Sequence, residues 1–500
     1  MAYSTAVDAS AVARVLGIKT DFVNLRQGGV VFLPQRIAVV GQGATASTYS
    51  TDKAQLTSAF AAGSTYGFGS PLHLAALQLL PANGDGVGTI PVTFYPLEDA
   101  GTGVAATGDI TPSGAATGSA SFRVKINNIP SEQFVVANGD SVATIVTAIT
   151  AAMAAALNLP MIATDNVTQV DVTSKWAGSS ANDLYIEIEA TSEDNSGISF
   201  AITQPSGGLV NPDVTTATSQ IGNVWETLVL NCMEIADTDT LDLFQTFGEG
   251  RWGALVRKPL VVFTGNTATT VANAIAVSDA RATDRVNAQS VAPGSADLPC
   301  VVAARQLARI AVVANNNPPW DYGSQEATGI TPGADGDQWL YADRDTAVKG
   351  GSSTIEVKDG VVNISDVVTF YHPDGDPTPA YRYVCDIVKL QNILFNLDLI
   401  FATSEWDGAP LIPDDQPTVN RSAKKPKMAV AAVAALLDSL ALNAIISDPD
   451  AAKAATFAGI NESNPKRLDL TTTVQLSGNT NIISVDLNFG FYFGSGTVVA

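Results

Sequence analysis

The sequence predicts an α/β fold: a mixed sheet core with helices on both faces, an inserted small α+β domain, and extended N- and C-terminal strand arms. Three observations predict it. Strand and helix patterns alternate over residues 30–100 and 220–315, which is typical of a doubly wound sheet. Between these regions the composition changes at residue 101, and short strand patterns dominate. Both ends of the chain carry alternating apolar residues that have no local partner.

The composition is that of an acidic, folded, multi-domain protein. The chain has 500 residues with 27 Lys+Arg and 49 Asp+Glu, so its formal net charge is −22. A hydrophobic fraction of 46% is enough to bury several cores and excludes global disorder. The acidic balance excludes wrapping of a nucleic-acid backbone, since phosphate binding needs clustered positive charge. Charged residues make up only 15% of the chain, against about 25% in an average soluble domain, so we expect other subunits to cover part of the surface.

The same patterns divide the chain into four parts. Stretches rich in Gly, Thr, Ala and Ser at 101–120 and 204–219 predict flexible linkers, which would bring the ends of the segment between them near one another. The predicted parts are an N-terminal arm (1–30), a discontinuous core (31–101 plus 211–470), an inserted outer domain (102–210) and a C-terminal strand arm (471–500).

Within the core, Arg36–Val40 predicts the first strand; a Gly-rich turn follows, and a helix is expected from about Asp52. Later core helices are predicted at Pro71–Leu80, Asp237–Gly248, Thr267–Val277, Asp297–Val313, 381–403 and within 421–447. Later core strands are predicted at Thr89–Tyr95, within 222–236, and at Leu260–Thr264, Ser290–Val291, Ser353–Lys358, Val361–Ser365 and Val367–Phe370. A long polar loop is expected at 315–345. In the insert, strands are predicted at Ser121–Asn127, Gln133–Ala137, Met161–Thr164, Gln169–Thr173 and Asp183–Ala190, with a helix at 141–157.

The C-terminal arm holds the clearest strand pattern of the chain. A hairpin is expected there, with one strand at Leu470–Leu476, a turn at 478–481 and a final strand at Ile483–Phe493. The N-terminal arm has a shorter alternating pattern. Because an unpaired strand edge is a hazard for a soluble protein, we expect both arms to complete the sheet of a neighbouring subunit. The residues expected to make these contacts are Leu16, Ile18, Phe22, Ile483, Val485, Leu487, Phe489 and Phe491.

One motif matches part of a nucleotide-binding site, but the rest of that site is missing. Gly41-Gln-Gly43-Ala-Thr-Ala46 follows a strand and formally matches the dinucleotide-binding pattern. Such a site also needs an acidic residue about 20 positions further on, and residues 59–69 contain none. The motif therefore predicts a tight turn, and no cofactor is expected.

The sequence also lacks a framework for catalysis or metal binding. There are two histidines, His73 and His372, and no nucleophile elbow, HExxH helix or paired Cys/His array. Short Asp pairs recur, but counting twelve positions from Asp374 or Asp237 reaches no carboxylate, so an EF-hand is excluded. The three widely spaced cysteines form no disulfide framework. We therefore expect neither an enzyme nor a metal site.

A basic cluster stands out in this acidic chain. It comprises Arg421, Lys424, Lys425 and Lys427, four positive charges just before the apolar stretch 428–446. Two interpretations remain open: a solvated helix start, or a contact with an acidic protein partner. The apolar stretch contains Asp438 and is not expected to cross a membrane; no secretion signal is visible at the N-terminus.

The order of several blocks resembles the tail sheath proteins of contractile-tailed bacteriophages, specifically the Mu-like family. Each block is weak alone, but their order and spacing are specific and together they cover most of the chain. The blocks are Phe32–Gln42, Tyr66–Leu72, the insert with its FRVKINN and DVTSKWAGSSAND segments, Trp225–Asp237, Glu249–Trp252, Gly350–Phe370 and Ala380–Val388. The acidic loop 321–345 and the pair Cys300 and Cys385 match no block.

The resemblance implies a structural subunit that stacks as hexameric rings around an inner tail tube and contracts irreversibly to drive the tube through the host envelope. It implies partners in further copies of itself, the tube protein, and the baseplate and terminator proteins. It also implies assembly in the host cytoplasm and a final place in the virion tail. The basic cluster would then face an acidic tube.

Two other function classes fit the sequence less well. An acidic, secreted surface-layer or adhesin-like assembly protein would carry a signal peptide and calcium loops, and neither is visible. A dinucleotide-dependent oxidoreductase is not supported, because the acidic partner of the glycine motif is missing.

Overall fold

The structure is a computed structural model that describes residues 29–375, 381–487 and 489. The described residues form two compact units. One comprises 32–375, 381–394, 476–487 and 489; the other comprises 29–31 and 395–475. The boundary between residues 394 and 395 falls inside a helix, where the sequence shows no change of composition.

The helices and the strands are numbered separately, each in chain order. The helices are α1 (Ala59–Tyr66), α2 (Pro71–Leu79), α3 (Val142–Ala155), α4 (Thr215–Ile221), α5 (Thr238–Trp252), α6 (Val271–Asp279), α7 (Pro299–Asn316), α8 (Tyr341–Lys349), α9 (Val384–Phe401), α10 (Pro426–Leu442) and α11 (Pro449–Ala454). The first strands are β1 (Ile37–Gln42), β2 (Ala54–Gln55), β3 (Val92–Leu97), β4 (Ala105–Gly114), β5 (Ala120–Ile126), β6 (Ile129–Pro130), β7 (Phe134–Val136), β8 (Met161–Asp165), β9 (Val170–Ala177), β10 (Ile186–Ala190) and β11 (Ile198–Ser206). The later strands are β12 (Leu228–Asn231), β13 (Val261–Asn266), β14 (Asn287–Val291), β15 (Thr354–Lys358), β16 (Val361–Asp366), β17 (Ile446–Ser447), β18 (Phe457–Ile460), β19 (Leu468–Thr471) and β20 (Gln475–Leu476).

A six-stranded sheet forms the centre of the larger unit, in the order β14-β13-β12-β1-β3-β2. All neighbours in it are parallel except β2 and β3. Every residue of β1, β3, β12, β13 and β14 is buried. Because successive side chains point to opposite faces of a sheet, this burial means that both faces are covered. The predicted α/β class, with helices on both faces, is confirmed.

The insert makes its own sheets. One is β10-β5-β6 with β7 beside β5, and the other is β11-β4-β9-β8; both are antiparallel. Its ends meet where Val104 N donates to Leu209 O at 2.9 Å and Leu209 N donates to Val104 O at 3.1 Å. The expected closeness of the two ends is therefore confirmed, while 102–210 as a separate domain stays a prediction.

Several predicted elements are wrong. The stretch 101–120 is not a linker, because most of it is β4 and β5, and 204–219 includes the end of β11 and the start of α4. The helix expected from Asp52 begins at Ala59, where the Ser58 side chain accepts from Ala61 N. Residues 367–370 make only isolated bridges, and α8 lies at the end of the region expected to be loop.

Candidate assembly surfaces

The C-terminal arm ends in exposed apolar residues. Ile483, Val485, Leu487 and Phe489 have 79%, 76%, 79% and 81% of their surface exposed. Scattered exposed apolar residues are normal, but a run of alternate ones marks an interaction surface. Ile482, outside the alternating series, is also 79% exposed, so the alternation is a feature of the sequence and the exposure extends over the whole segment.

The predicted terminal hairpin is wrong in the described residues. The strand expected at Leu470–Leu476 is two short strands: β19 pairs with β18, and β20 pairs with β17. Residues 477–487 belong to no strand. The apolar face of the arm therefore has no hairpin partner there. Phe491 and the N-terminal residues Leu16, Ile18 and Phe22 lie outside the described residues.

A two-stranded sheet stands in the smaller unit. It consists of β18 and β19, paired antiparallel from Phe457–Thr471 to Ile460–Leu468, and it packs against α10. Within the described part of the chain, neither strand pairs with a third. Phe457 is 67% exposed. A two-stranded sheet is only marginally stable alone, so its free edges can accept further strands.

The basic cluster precedes α10 and is largely engaged within its own unit. The Lys424 ammonium lies 3.3 Å from Glu405 Oε2 and 5.3 Å from the centre of the Trp406 ring. Its side chain is only 13% exposed. The Lys425 ammonium donates to the carbonyl oxygens of Gln416 and Asp414, at 2.6 Å and 3.2 Å.

Lys427 and Arg421 remain exposed. The Lys427 backbone N–H donates to Asp414 Oδ1 at 3.0 Å. Residues 404–427 hold four acidic side chains, Glu405, Asp407, Asp414 and Asp415, against the four basic ones, so their net charge is zero. Counting the positive charges alone missed this balance, which the acidic side chains nearby in the same sequence could have revealed.

The glycines of the Gly41-Gln-Gly43 motif have packing roles. A Cβ at Gly41 would lie 2.9 Å from the Cβ of Cys232, and one at Gly43 would lie 2.3 Å from the Tyr49 ring. No helix begins directly after the motif, since α1 starts at Ala59. The helix N-terminus that a dinucleotide site would offer its phosphates is therefore not at this turn.

The two histidines have separate partners and do not contact each other. His73 is buried in α2, and its Nδ1 accepts from Gly69 N at 3.0 Å. His372 Nε2 lies 3.5 Å from Asp279 Oδ1. All three cysteines are buried and free. Within 29–375, 381–487 and 489, no three His, Cys, Asp or Glu side chains come together in a way that could hold a metal ion. No helix in these ranges has the length and apolarity to span a bilayer.

Comparison with known proteins extends these observations. The chain is 25% identical over 317 residues to the Mu-like prophage FluMu tail sheath protein of Haemophilus influenzae. The expected resemblance to Mu-like tail sheath proteins is confirmed. The match covers 61% of this chain and 63% of the relative, so the chain spans less than two thirds of the length of the curated relative it matches. No protein-family model matches the chain.

Solved sheath tail proteins are also similar to this chain. That of Listeria innocua is 12% identical, with a TM-score of 0.46 over 90% of this chain and 94% of its own. That of Desulfitobacterium hafniense is 11% identical, with a TM-score of 0.46 over 92% of this chain and 100% of its own.

Proposed function

We propose that this chain is the structural subunit of a contractile tail sheath in a virion. The observation that carries the proposal is its sequence similarity to a Mu-like tail sheath protein over 317 residues. In this proposal the subunits stack as hexameric rings around an inner tube, and their irreversible contraction drives the tube through the host envelope. Further partners are the baseplate and terminator proteins, and assembly takes place in the host cytoplasm.

The exposed arm supplies the contacts between subunits. Residues 483–491 of one copy add a strand to the sheet of another, together with residues 16–22 of a further copy. The free edges of β18 and β19 are one acceptor among the sheet edges of the described residues, and the one we propose. Each buried Val, Leu or Phe of the arm contributes roughly 1.5–3 kcal/mol. A strand link of this kind lets the bodies move between two packings without being released, and the less favourable packing stores the energy of contraction.

The exposed members of the basic cluster face the tube. Lys424 and Lys425 are half-buried, whereas Arg421 and Lys427 are exposed, so the contact with an acidic tube falls to Arg421 and Lys427. Exposed ion pairs contribute about 0–1 kcal/mol each, and a six-fold ring repeats them. Arg421→Glu and Lys427→Glu are therefore expected to weaken assembly on purified tubes. Lys349→Glu, an exposed lysine at the end of α8, is the matched control for charge reversal.

The main experiment is negative-stain microscopy of the purified chain, with and without residues 483–500. The full chain is expected to form helical tubes with a wide lumen. The truncated chain is expected to stay folded by circular dichroism and to form no tubes. Small discrete oligomers of the full chain would contradict the sheath proposal and favour a different assembly protein. Tubes formed by the truncated chain would contradict the role of the arm.

A further inference from the structure

A buried lysine fixes the start of the C-terminal arm. The Lys389 side chain is fully buried on α9. Its ammonium donates to Asp386 Oδ1 at 2.8 Å, to the carbonyl oxygen of Ser477 at 2.7 Å and to Asn479 Oδ1 at 2.6 Å. A lysine ammonium can donate three hydrogen bonds, and all three are made. Two of the three go to the segment 477–481, which we name the arm root.

The other contacts of the arm root come from the same side. Asn479 Nδ2 donates to the carbonyl oxygen of Pro319 at 2.8 Å, and the Cys385 thiol lies 3.6 Å from Asn479 Oδ1. The side chain of Asn481 hydrogen-bonds the hydroxyl of Tyr383.

These contacts alternate along the arm root. The side chains of Asn479 and Asn481 are hydrogen-bonded to the larger unit, as is the backbone carbonyl of Ser477, whereas Thr480 between the two asparagines and Gly478 are exposed. A period of two is that of an extended chain, in which alternate residues share one face. The arm root therefore has a bound, odd-numbered face and an open, even-numbered face.

The exposed apolar residues continue the odd-numbered series. Ile483, Val485, Leu487 and Phe489 have the same parity as Asn479 and Asn481, whose side chains are bound. On the even-numbered series, Ser484 and Asp486 are polar, and Ile482 is the one exposed apolar residue at 482–486. One continuous face thus changes from polar groups that hold the chain to apolar groups that are free to bind another surface.

We propose that the Lys389–Asn479 contact sets the register of the C-terminal arm, so that its apolar face meets the receiving sheet of a second copy. Lys389 and Asn479 are positioning residues in this assembly step. The inference rests on the proposed sheath function, in which the arm joins subunits. Asp386 compensates the charge of the buried ammonium, and losing Asn479 would leave one of its N–H donors buried without a partner, so this contact holds the arm root firmly.

The proposed register predicts that an odd and an even number of inserted residues have different effects on assembly. A shift of one residue in an extended chain moves every side chain to the opposite face. One Ser inserted between Asn481 and Ile482 turns Ile483, Val485, Leu487 and Phe489 away from the receiving sheet. Two inserted residues, Ser-Gly, restore the parity while lengthening the arm further. Both variants leave the arm root and the sequence of the arm intact.

The readout is the yield of polymer by sedimentation, checked by microscopy. The one-residue insertion is expected to lower the yield by at least about tenfold, the effect of roughly 1.4 kcal/mol. The two-residue insertion is expected to stay near the wild-type yield. Equal yields from the two insertions would overturn the register inference. If the unaltered chain forms no polymer, the proposed function fails, and the arm root is judged by the next measurement alone.

That measurement is the mobility of a spin label on the arm root, which does not depend on assembly. The three native cysteines are buried, so a Thr480→Cys variant of the full chain takes a spin label at that position. Asn479→Ala removes both the acceptor for Lys389 and the donor to Pro319, and the label is expected to move faster by several-fold. Asn479→Asp keeps the acceptor for Lys389 and is expected to give an intermediate mobility.

The matched control is Asn138→Ala, an exposed asparagine in the turn before α3. It is expected to leave the label mobility unchanged. An Asn479→Ala variant with unchanged mobility, and a thermal midpoint equal to that of the control, would overturn the role of this contact.

Discussion

Nε2 of Gln42 lies 2.6 Å from the carbonyl oxygen of Ala177 and donates a hydrogen bond to it. Gln42 ends β1 of the central sheet, and Ala177 ends β9 of the insert. The same amide donates to Asp99 Oδ1 at 2.5 Å. Ligands of α/β proteins bind outside the carboxyl ends of parallel strands. In this chain the backbone of the insert is hydrogen-bonded at that edge of the sheet, at the carboxyl end of β1.

Gln42→Leu should destabilise the chain. The substitution leaves the buried Ala177 carbonyl and the half-buried Asp99 carboxylate without this donor, at a cost of about 1–3 kcal/mol. The free energy of unfolding from denaturant titration measures it. Ser113→Ala, which removes an exposed hydroxyl from the contact with Ser199, is the control and should change stability by less than about 0.5 kcal/mol. Equal effects from both would contradict the importance of this contact.

Removal of the insert should leave the central sheet folded. No strand of the six-stranded sheet lies in 105–208, and Val104 and Leu209 are already hydrogen-bonded, so a short Gly/Ser linker can join them. Circular dichroism and size-exclusion chromatography of the deleted chain test this expectation. In that background Gln42→Leu should cost less than in the full chain, because its partner Ala177 is gone. An aggregated product would mean that the central sheet depends on the insert.

The sequence predicted the central sheet because buried parallel strands are apolar throughout, as in Val261–Phe263 of β13. It failed at β4, whose Thr, Gly and Ala residues are typical of a linker. That strand forms because β9 and β11 pair with its two edges and bury Ala106 and Ile110. Tertiary pairing outweighed local propensity there. The division inside α9 could not be predicted either, since a continuous helix carries no signal of a boundary.

For the candidate surfaces, the apolar arm could be predicted and its root could not. Alternation at 483–489 is visible in the sequence, and those residues are exposed. The contact between Lys389 and Asn479 joins residues 90 positions apart, and neither residue type stands out. The four positive charges of the basic cluster are visible in the sequence, and their role stays a prediction. The contact of Lys424 with Glu405, 19 residues away, is seen only in the fold.

The thiols should be unreactive in the native chain. Its three cysteines, Cys232, Cys300 and Cys385, are all buried. A hydrogen bond with Cys300 and burial raise the pKa of the Cys232 thiol, and burial raises the pKa of the Cys385 thiol. Because the thiolate is the reactive form, Ellman's reagent should modify none of them quickly until the chain is unfolded. Ser484→Cys, in the exposed arm, is the control and should react at once. Rapid native modification of Cys232 would contradict the packing around β1.

Stability should fall as the pH drops through the range of His73. Burial, and then the positive charge of Lys175, lower the pKa of His73 to about 4. The Lys175 ammonium donates to the carbonyl oxygens of Phe68 and Leu157, at 2.8 Å and 2.9 Å, and so belongs to the same packed region. In the unfolded chain the pKa of histidine is about 6.5, so the unfolded chain binds a proton before the folded chain does.

The order of these two pKa values fixes the direction in which stability changes with pH. The contribution of neutral His73 is complete above about pH 6.5 and is lost progressively as the pH falls towards 4, by roughly 3 kcal/mol in all. Carboxylates titrate over part of the same range, so the quantity to measure is the difference in unfolding free energy between the wild-type chain and His73→Gln at each pH. Glutamine keeps an acceptor for Gly69 N and has no charge to gain. This difference should shrink between pH 6.5 and 4, and Lys175→Met, which removes the positive neighbour, should make it shrink less. A difference that stays constant with pH would show that His73 is protonated equally easily in both states and would contradict its buried, neutral place in α2.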